Sequence, residues 1–244
     1  MRLQGGAVII LKNLPEQLGN KLFIVSTPIG NLKDITLRAL DTLKEAGFII
    51  CEDTRVTSVL LNHYEIKKGL VSLNAANETS KIDYILNRIK NFEMCALVTD
   101  AGTPGISDPG VRLISAAIKN GIEVIPVPGA TAAITALSVS GLPSDSFVFE
   151  GFLPIKKGRR KKLAGLANEN RTIILYESVY RIEKLLNELN DYMPERLVVV
   201  TRELTKKFEE SWRGKPKKII DELKDKTIKG EFVVVISPAS WEER

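Results

Sequence analysis

The stretch Met94-Cys-Ala-Leu-Val-Thr-Asp-Ala-Gly-Thr-Pro-Gly-Ile-Ser-Asp-Pro-Gly110 passes from an apolar run into a loop rich in glycine and proline. The apolar run is typical of a strand that is buried on both faces of a parallel sheet. Glycine permits positive φ and close backbone approach, whereas proline fixes φ and removes an N–H donor. The pattern predicts a stiff loop at the carboxyl end of a buried strand, where sheets of this kind bind ligands.

Two further segments repeat this pattern. Residues 21–25 lead into Ser26-Thr-Pro-Ile-Gly-Asn-Leu-Lys-Asp34, and residues 123–125 lead into Pro126-Val-Pro-Gly-Ala-Thr-Ala-Ala133. A single loop of this composition is explained equally well as a tight turn. The three loops contain neither G-x-G-x-x-G nor G-x-x-x-x-G-K-[ST]. Together they favour a site for a nucleotide-like molecule other than NAD or ATP.

Strands and helices alternate from residue 21 to about 140, which predicts an α/β domain with a largely parallel sheet and helices on both faces. Residues 34–46 have the pattern of an amphipathic helix that Asp34 caps and whose apolar face carries Leu37, Leu40 and Leu43. Turn residues at 140–145 precede a change in composition. We therefore predict an N-terminal extension (1–20), an α/β domain (21–150) and a second α/β domain with a mixed sheet (151–244). A cleft between two domains is a common place for a site.

Composition limits the class of protein. The chain has 244 residues, of which 44% are hydrophobic and 27% charged, as in folded globular proteins. Its apolar runs are shorter than the roughly 18 residues that span a membrane, and no secretory cleavage pattern follows residue 14, so we expect a cytoplasmic protein without a membrane segment. Cys51 and Cys95 lack metal-ligand spacing, and His63 is the single histidine, so we expect no metal site.

Positive charge is concentrated in the second half. Residues 151–244 carry 21 of the 35 lysines and arginines but only 15 of the 30 acidic residues. The run Lys156-Lys-Gly-Arg-Arg-Lys-Lys162 holds six of these positive charges. Such a run is either a solvated helix start or a surface that contacts phosphates, and the asymmetry between the halves favours the second interpretation.

Four motifs resemble the signature loops of the tetrapyrrole-methylase superfamily: residues 26–34, Cys51-Glu-Asp-Thr-Arg55, residues 100–110 and residues 126–132. Residues 176–178, 201–210 and 229–232 are similar to its branch of 16S rRNA 2′-O-ribose methyltransferases. The resemblance covers roughly residues 20–237. One departure is Glu177-Ser-Val-Tyr-Arg181, where the branch usually has Glu-Ser-Pro-His-Arg. Any role of that histidine falls here to Tyr180 or is dispensable.

The resemblance implies a homodimer of two-domain chains, each with S-adenosylmethionine in the cleft between its domains. The acceptor would be the ribose 2′-hydroxyl of a cytidine in the decoding region of 16S rRNA, within the small ribosomal subunit. Pro28 would lie near the cofactor, and Tyr176 would close the pocket from the second domain. The pocket itself would be lined by Asp100, Ala101, Gly102, Thr103, Ile106, Thr131 and Ala132.

Methyl transfer from a sulfonium is an in-line displacement that depends on alignment and needs no metal. A base that takes the hydroxyl proton would assist it. Asp53 is the first choice on the acceptor side, with Arg55 beside it and Glu231 as a further catalytic candidate. Glu52, Asp100 and Glu203 also follow predicted strands. The alternative is that these charges only pair with one another across the cleft.

Contacts to RNA phosphates would come from the basic residues Lys156, Lys157, Arg159, Arg160, Lys161, Lys162, Arg202 and Lys206. Such contacts position RNA without reading its sequence. Aromatic residues make up 6% of the chain, which argues against extensive base stacking. Two other functions stay open: a methylase of a tetrapyrrole, and a non-catalytic ribosome-assembly factor.

Overall fold

Five parallel strands form the first sheet of the computed structural model, which describes residues 20–224, 226 and 229–241. Their order across the sheet is β3-β2-β4-β1-β5. The strands are β1 (Lys21–Val25), β2 (Ile49–Cys51), β3 (Leu70–Ser72), β4 (Met94–Leu97) and β5 (Glu123–Val127). The expected extension, residues 1–20, lies outside the described residues apart from Asn20.

Helices cover both faces of this sheet, as the sequence predicts. The helices that cover it are α1 (Leu37–Glu45), α2 (Thr54–His63), α3 (Glu78–Ile89) and α4 (Val111–Lys119), and a fifth helix, α5 (Ala132–Ser140), follows β5. Successive strand residues point to opposite faces. Ile50 therefore packs with α3 and α4, whereas Ile49 and Cys51 pack with α1 and α2.

The start of α1 differs from the sequence-based expectation. Asp34 ends a short 3₁₀ turn, and Thr36 caps α1 by accepting a hydrogen bond from the Ala39 N–H at 3.1 Å. Because the helix begins at Leu37, that side chain lies on the solvent side and is 81% exposed. Ala39 and Leu43 face the sheet instead.

The second sheet is mixed, which confirms the predicted class of the C-terminal half. Its order is β6-β7-β10-β8-β9, and only the β6–β7 pairing is parallel. The strands are β6 (Phe147–Phe152), β7 (Thr172–Ser178), β8 (Val198–Arg202), β9 (Glu210–Gly214) and β10 (Glu231–Ile236). Three helices, α6 (Arg159–Leu166), α7 (Ile182–Tyr192) and α8 (Pro216–Leu223), cover one face.

Helix α5 joins the two halves. Its residues Ala133, Ala136 and Leu137 pack against the other face of the second sheet, in one apolar cluster with Ile29 and Leu204. Ile29 belongs to the loop after β1, so this cluster holds the strand ends of the first sheet against the second. The chain passes from one sheet to the other in residues 141–146. A cleft between the sheets results.

Two sequence-based expectations concern the cysteines and the membrane. Cys51 and Cys95 are buried free thiols, and burial raises the pKa of Cys95 to about 12. They are core residues, as expected. Within the described ranges, every helix is too short or too polar to cross a bilayer.

Candidate functional site

A cavity of about 450 Å³ lies between the two sheets, a volume ordinary for small-molecule sites. Its first wall comes from residues that follow strands β1, β2, β4 and β5, and its second wall from strands and loops of the second sheet. The lining residues are Ile29, Glu52, Thr99, Asp100, Ala101, Gly102, Thr103, Ile106, Ser107, Asp108, Thr131, Ala132, Phe152, Tyr176, Glu177, Ser178, Val179, Leu204, Lys206, Gly230, Glu231, Phe232 and Val233.

Direct hydrogen bonds join the three glycine-proline loops. The backbones of Thr27 and Gly102 exchange two hydrogen bonds, at 2.8 and 3.1 Å. Gly102 has a φ of +89°, which a side chain would strain. The Thr103 hydroxyl lies 2.8 Å from that of Ser26 and donates to the Ala130 carbonyl at 3.2 Å. The loops therefore form a rigid floor for a ligand.

Tyr176 connects this floor to the second sheet. Its hydroxyl accepts a hydrogen bond from the Ala133 N–H at 3.1 Å, which satisfies a backbone donor in the first turn of α5. Its ring meets Phe149 and Phe152 edge-on, with centroids 5.0 and 5.7 Å apart. Burial raises the pKa of Tyr176. The side chain is thus a neutral, ordered part of the wall.

Three carboxylates lie on the first wall. Glu52 accepts a hydrogen bond from the Thr99 hydroxyl at 2.9 Å, and Asp100 accepts one from the Asp53 N–H at 3.0 Å. Burial, together with the charges of Glu52 and Asp100, raises the pKa of Asp108 to about 6. This wall therefore favours a cationic ligand, which would relieve the repulsion among the carboxylates.

The second wall holds an ion-pair network. Lys206 Nζ lies 3.0 Å from Glu203 Oε1 and 2.9 Å from Glu231 Oε2. Burial opposes the charge of Lys206, but the hydrogen bonds to Glu231 and Glu203 outweigh it and raise the Lys206 pKa. Glu203 and Thr205 have φ values of 51° and 65°, a left-handed conformation that costs energy for residues with side chains. The loop that carries Lys206 is therefore strained.

The structure brings most of the predicted cofactor residues together. Pro28 is buried and does not line the cavity. The other eight residues all line it: Asp100, Ala101, Gly102, Thr103, Ile106, Thr131, Ala132 and Tyr176. Sequence reasoning missed Asp108, although it stands in the quoted loop. It also missed Phe152 on the second wall, because nothing local in that segment indicates that the side chain faces the cleft. Gly230 and Phe232 belong to the quoted segment 229–232, but they were not named as site residues.

Asp53 and Arg55 lie outside the cavity wall. The Asp53 carboxylate caps α2 through the Arg55 N–H at 2.8 Å and pairs with the Arg55 guanidinium. These bonds hold the pKa of Asp53 at about 2. A carboxylate with so low a pKa, outside the cavity lining, does not suit the predicted role of base. Glu231, by contrast, lines the cavity.

The basic run divides into two groups. Lys156, Lys157, Arg160 and Lys161 are exposed. Arg159 is only 3% exposed, because its guanidinium pairs with Glu188 at 2.7 Å and with the buried Glu177 at 3.5 Å. The expected phosphate contact of Arg159 is therefore wrong.

Three other predicted phosphate contacts are already engaged in ion pairs. Lys162 pairs with Glu150 and Arg202 with Glu210, while Lys206 belongs to the network on the second wall.

Comparison with known proteins identifies the family. The family profile of the Tetrapyrrole (Corrin/Porphyrin) Methylases matches residues 21–220. The Ribosomal RNA small subunit methyltransferase I of Thermotoga maritima is 48% identical over 89% of this chain and 98% of its own length. That of Synechocystis sp. is 47% identical over 91% of this chain and 81% of its own. The chain belongs to the ribosomal RNA small subunit methyltransferase I family of tetrapyrrole methylases.

Solved structures at lower identity support the fold. Diphthine synthase matches with a TM-score of 0.70 at 14% identity, covering 89% of this chain and 90% of that one. Uroporphyrin-III C-methyltransferase from Thermus thermophilus, solved with S-adenosylhomocysteine, matches with a TM-score of 0.63 at 18% identity, covering 88% and 96%. The predicted family, fold and methyltransferase class, with S-adenosylmethionine as methyl donor, are confirmed at the level of the family.

Proposed function

We propose that this protein transfers a methyl group from S-adenosylmethionine to the ribose 2′-hydroxyl of a cytidine in the decoding region of 16S rRNA, within the small ribosomal subunit. The observation that carries the proposal is the cavity, which has a carboxylate-rich wall on one side and a Lys206–Glu231 pair on the other. Relatives above 40% identity are named for small-subunit rRNA, which supports RNA as the acceptor.

The first wall suits the cofactor. Bound S-adenosylmethionine supplies an electrophilic methyl group on a cationic sulfonium. The carboxylates of Asp100 and Asp108 complement a cation, and the ordered loop that contains Gly102 and Thr103 allows the ligand to approach the backbone. We assign Asp100, Ala101, Gly102, Thr103, Ile106, Thr131, Ala132 and Tyr176 to the cofactor.

The second wall suits the acceptor. The Glu231 carboxylate is 80% exposed at the cavity and accepts a hydrogen bond from Lys206. In our proposal, Glu231 takes the proton of the 2′-hydroxyl, and that oxygen becomes the nucleophile. The new bond from oxygen to the methyl carbon would replace the bond from that carbon to sulfur, whose electron pair would stay on sulfur in a neutral thioether. Lys206 stabilises the negative charge that builds on this oxygen as its proton leaves and before the new bond is complete.

The basic face of the second half supports an RNA substrate. We assign phosphate contacts to Lys156, Lys157, Arg160 and Lys161, which are exposed, and to Lys162 and Arg202, which would exchange their partners Glu150 and Glu210 for phosphate. We further propose that the protein is a homodimer that acts in the cytoplasm. Sedimentation equilibrium tests the dimer, and a monomer at micromolar concentration would refute it.

The test uses labelled S-adenosylmethionine with two acceptors: small ribosomal subunits that lack the modification, and uroporphyrinogen III. We expect label in 16S rRNA alone, and at least a hundredfold lower rate for Glu231→Gln, because it lacks the base. Glu222→Gln, an exposed change on α8, is the control. Label in the tetrapyrrole would identify a tetrapyrrole methylase. Binding of subunits without transfer would indicate an assembly factor.

A further inference from the structure

Tyr180 is the most exposed large apolar or aromatic side chain in the described ranges, at 93%. It directly follows Ser178 and Val179, which both line the cavity. A tyrosine exposed to this degree adds almost nothing to the stability of the fold, because its ring buries almost no apolar area. Its place in the chain puts it at the edge of the cavity.

The turn that carries Tyr180 is held in place by its neighbour. The Arg181 guanidinium pairs with the buried Glu177 at 2.8 Å and donates to the Leu153 carbonyl at 3.3 Å. It also lies 5.9 Å from the centre of the Phe152 ring. The turn after β7 is thereby fixed beside the end of β6.

Phe152 provides a second exposed ring at the same edge. It lines the cavity, is 52% exposed, and rests edge-on against Tyr176. Beyond it the chain continues through exposed Ile155 into the basic residues Lys156 and Lys157. The exposed ring of Phe152 thus lies beside the turn that carries exposed Tyr180, and exposed lysines follow Phe152 four and five residues later.

We propose that Phe152 and Tyr180 form a stacking site for a nucleobase of the RNA substrate, with Tyr180 as the main platform. This inference rests on the proposed function, because a base can only stack there when its ribose is at the cavity. A ribose reaches an enclosed site when its nucleotide leaves the RNA stack, and aromatic side chains commonly hold such nucleotides. The low aromatic content of the chain is consistent with one local stack rather than an extended one.

The test measures methyl transfer to unmodified small ribosomal subunits with saturating S-adenosylmethionine. We expect Tyr180→Ala to lower kcat/KM by roughly 5- to 150-fold, the range for loss of one stacked base, and Tyr180→Phe to stay within about twofold of the wild type. Calorimetric affinity for S-adenosylmethionine should not change. Tyr84→Ala, an exposed tyrosine on α3, is the matched control.

Two further readouts separate stacking from other roles. Because Tyr180 carries no charge, Tyr180→Ala should leave the salt dependence of subunit binding unchanged, unlike loss of Lys156 and Lys157. Tyr180→Leu should be as impaired as Tyr180→Ala, since leucine has no π face. Full activity of the leucine variant would indicate apolar docking to a ribosomal protein and would overturn the stack.

The outcomes also distinguish this inference from the function on which it depends. If the wild type binds S-adenosylmethionine but transfers no methyl to subunits, the proposed function fails and the stack with it. If the wild type is active and Tyr180→Ala matches Tyr84→Ala, only the stacking proposal is refuted.

Discussion

The surroundings of Asp108 in the cavity raise the pKa of its carboxyl group. Burial raises its carboxyl pKa to about 6, and the charges of Glu52 and Asp100 add to the shift, while the nearby Thr99 hydroxyl opposes it. The unfolded pKa is near 3.8, so the folded chain holds the proton more tightly. The contribution of Asp108 to stability is therefore greatest below pH 4 and is lost as the pH rises to 6.

This shift gives a prediction for cofactor affinity. As the pH falls from 7.5 to 5, Asp108 gains a proton and can no longer attract a sulfonium cation. We expect S-adenosylmethionine to bind about tenfold more weakly at pH 5, whereas neutral-sulfur S-adenosylhomocysteine should change less. Calorimetry with both ligands at a series of pH values measures the difference.

Asp108→Asn provides the control. The variant should bind S-adenosylmethionine weakly at both pH values and lose most of the pH dependence. Its stability relative to the wild type should rise between pH 4 and 7, since residue 108 then has no carboxyl group to ionise in the folded chain, so weak binding cannot be ascribed to unfolding. A wild-type pH profile in the asparagine variant would exclude Asp108 as the titrating group.

Helix α6 shows that neighbouring charges of one element can have opposite roles. Its first residue, Arg159, is buried against Glu177 and Glu188, whereas Arg160 is exposed. The sequence cannot distinguish them, because the partners of Arg159 lie 18 and 29 residues away on β7 and α7. Its burial depends on tertiary packing alone.

Loss of Arg159 should therefore destabilise the fold. We expect Arg159→Ala to lower the free energy of unfolding by about 3 kcal/mol, because it leaves buried carboxylate charge with fewer partners. Arg160→Ala should change it by less than about 0.5 kcal/mol. Urea denaturation measures both, and equal stabilities would contradict the packing described for α6.

The position of the strained loop that carries Lys206 depends on the absence of a side chain at Gly30, in the loop after β1. A Cβ at Gly30 would lie 2.4 Å from Lys206 Cγ and 2.8 Å from the Leu204 carbonyl oxygen. Gly30→Ala should thus displace Lys206 and lower methyl transfer about tenfold or more, in line with the sensitivity of transfer to alignment. Gly165→Ala in α6 has open space around it and should leave transfer unchanged. Methyl transfer to small ribosomal subunits is measured for both variants. Full activity of Gly30→Ala would show that the position of Lys206 is not critical for transfer.

At the scale of the whole molecule, the exposed positive charges of the second half and the cavity are separate features. We propose that one RNA substrate contacts both. Replacing Lys156, Lys157 and Arg160 with glutamine should weaken subunit binding and make its salt dependence shallower by about two in log–log slope. Affinity for S-adenosylmethionine should stay the same. The matched triple change of Lys44, Lys90 and Lys119, which are exposed on the first half, should have little effect. Filter binding measures the salt dependence of both triple variants. If their log–log slopes are equal, Lys156, Lys157 and Arg160 do not contact RNA phosphates.

The sequence predicts the parts of the fold that local pattern determines. The apolar strands and their glycine-proline loops indicate the parallel sheet and most of the first wall. It does not reveal β9, whose residues Glu210–Gly214 are largely polar, or the pairing of β6 with β7. Sequence reasoning also ranks Asp53 above Glu231 as the catalytic base. This ranking cannot be checked without the structure, which shows that Asp53 caps a helix and that Glu231 lines the cavity.

The most direct test of the central claim identifies the atom that receives the methyl group. Small ribosomal subunits lacking the modification are incubated with the protein and S-adenosylmethionine, and the rRNA is digested to nucleosides for mass spectrometry. We predict 2′-O-methylcytidine in the wild-type reaction and its loss with Glu231→Gln. A methyl group on a nucleobase, or no methylated nucleoside while cofactor binding is intact, would contradict the proposal that this cleft presents a ribose hydroxyl to the cofactor.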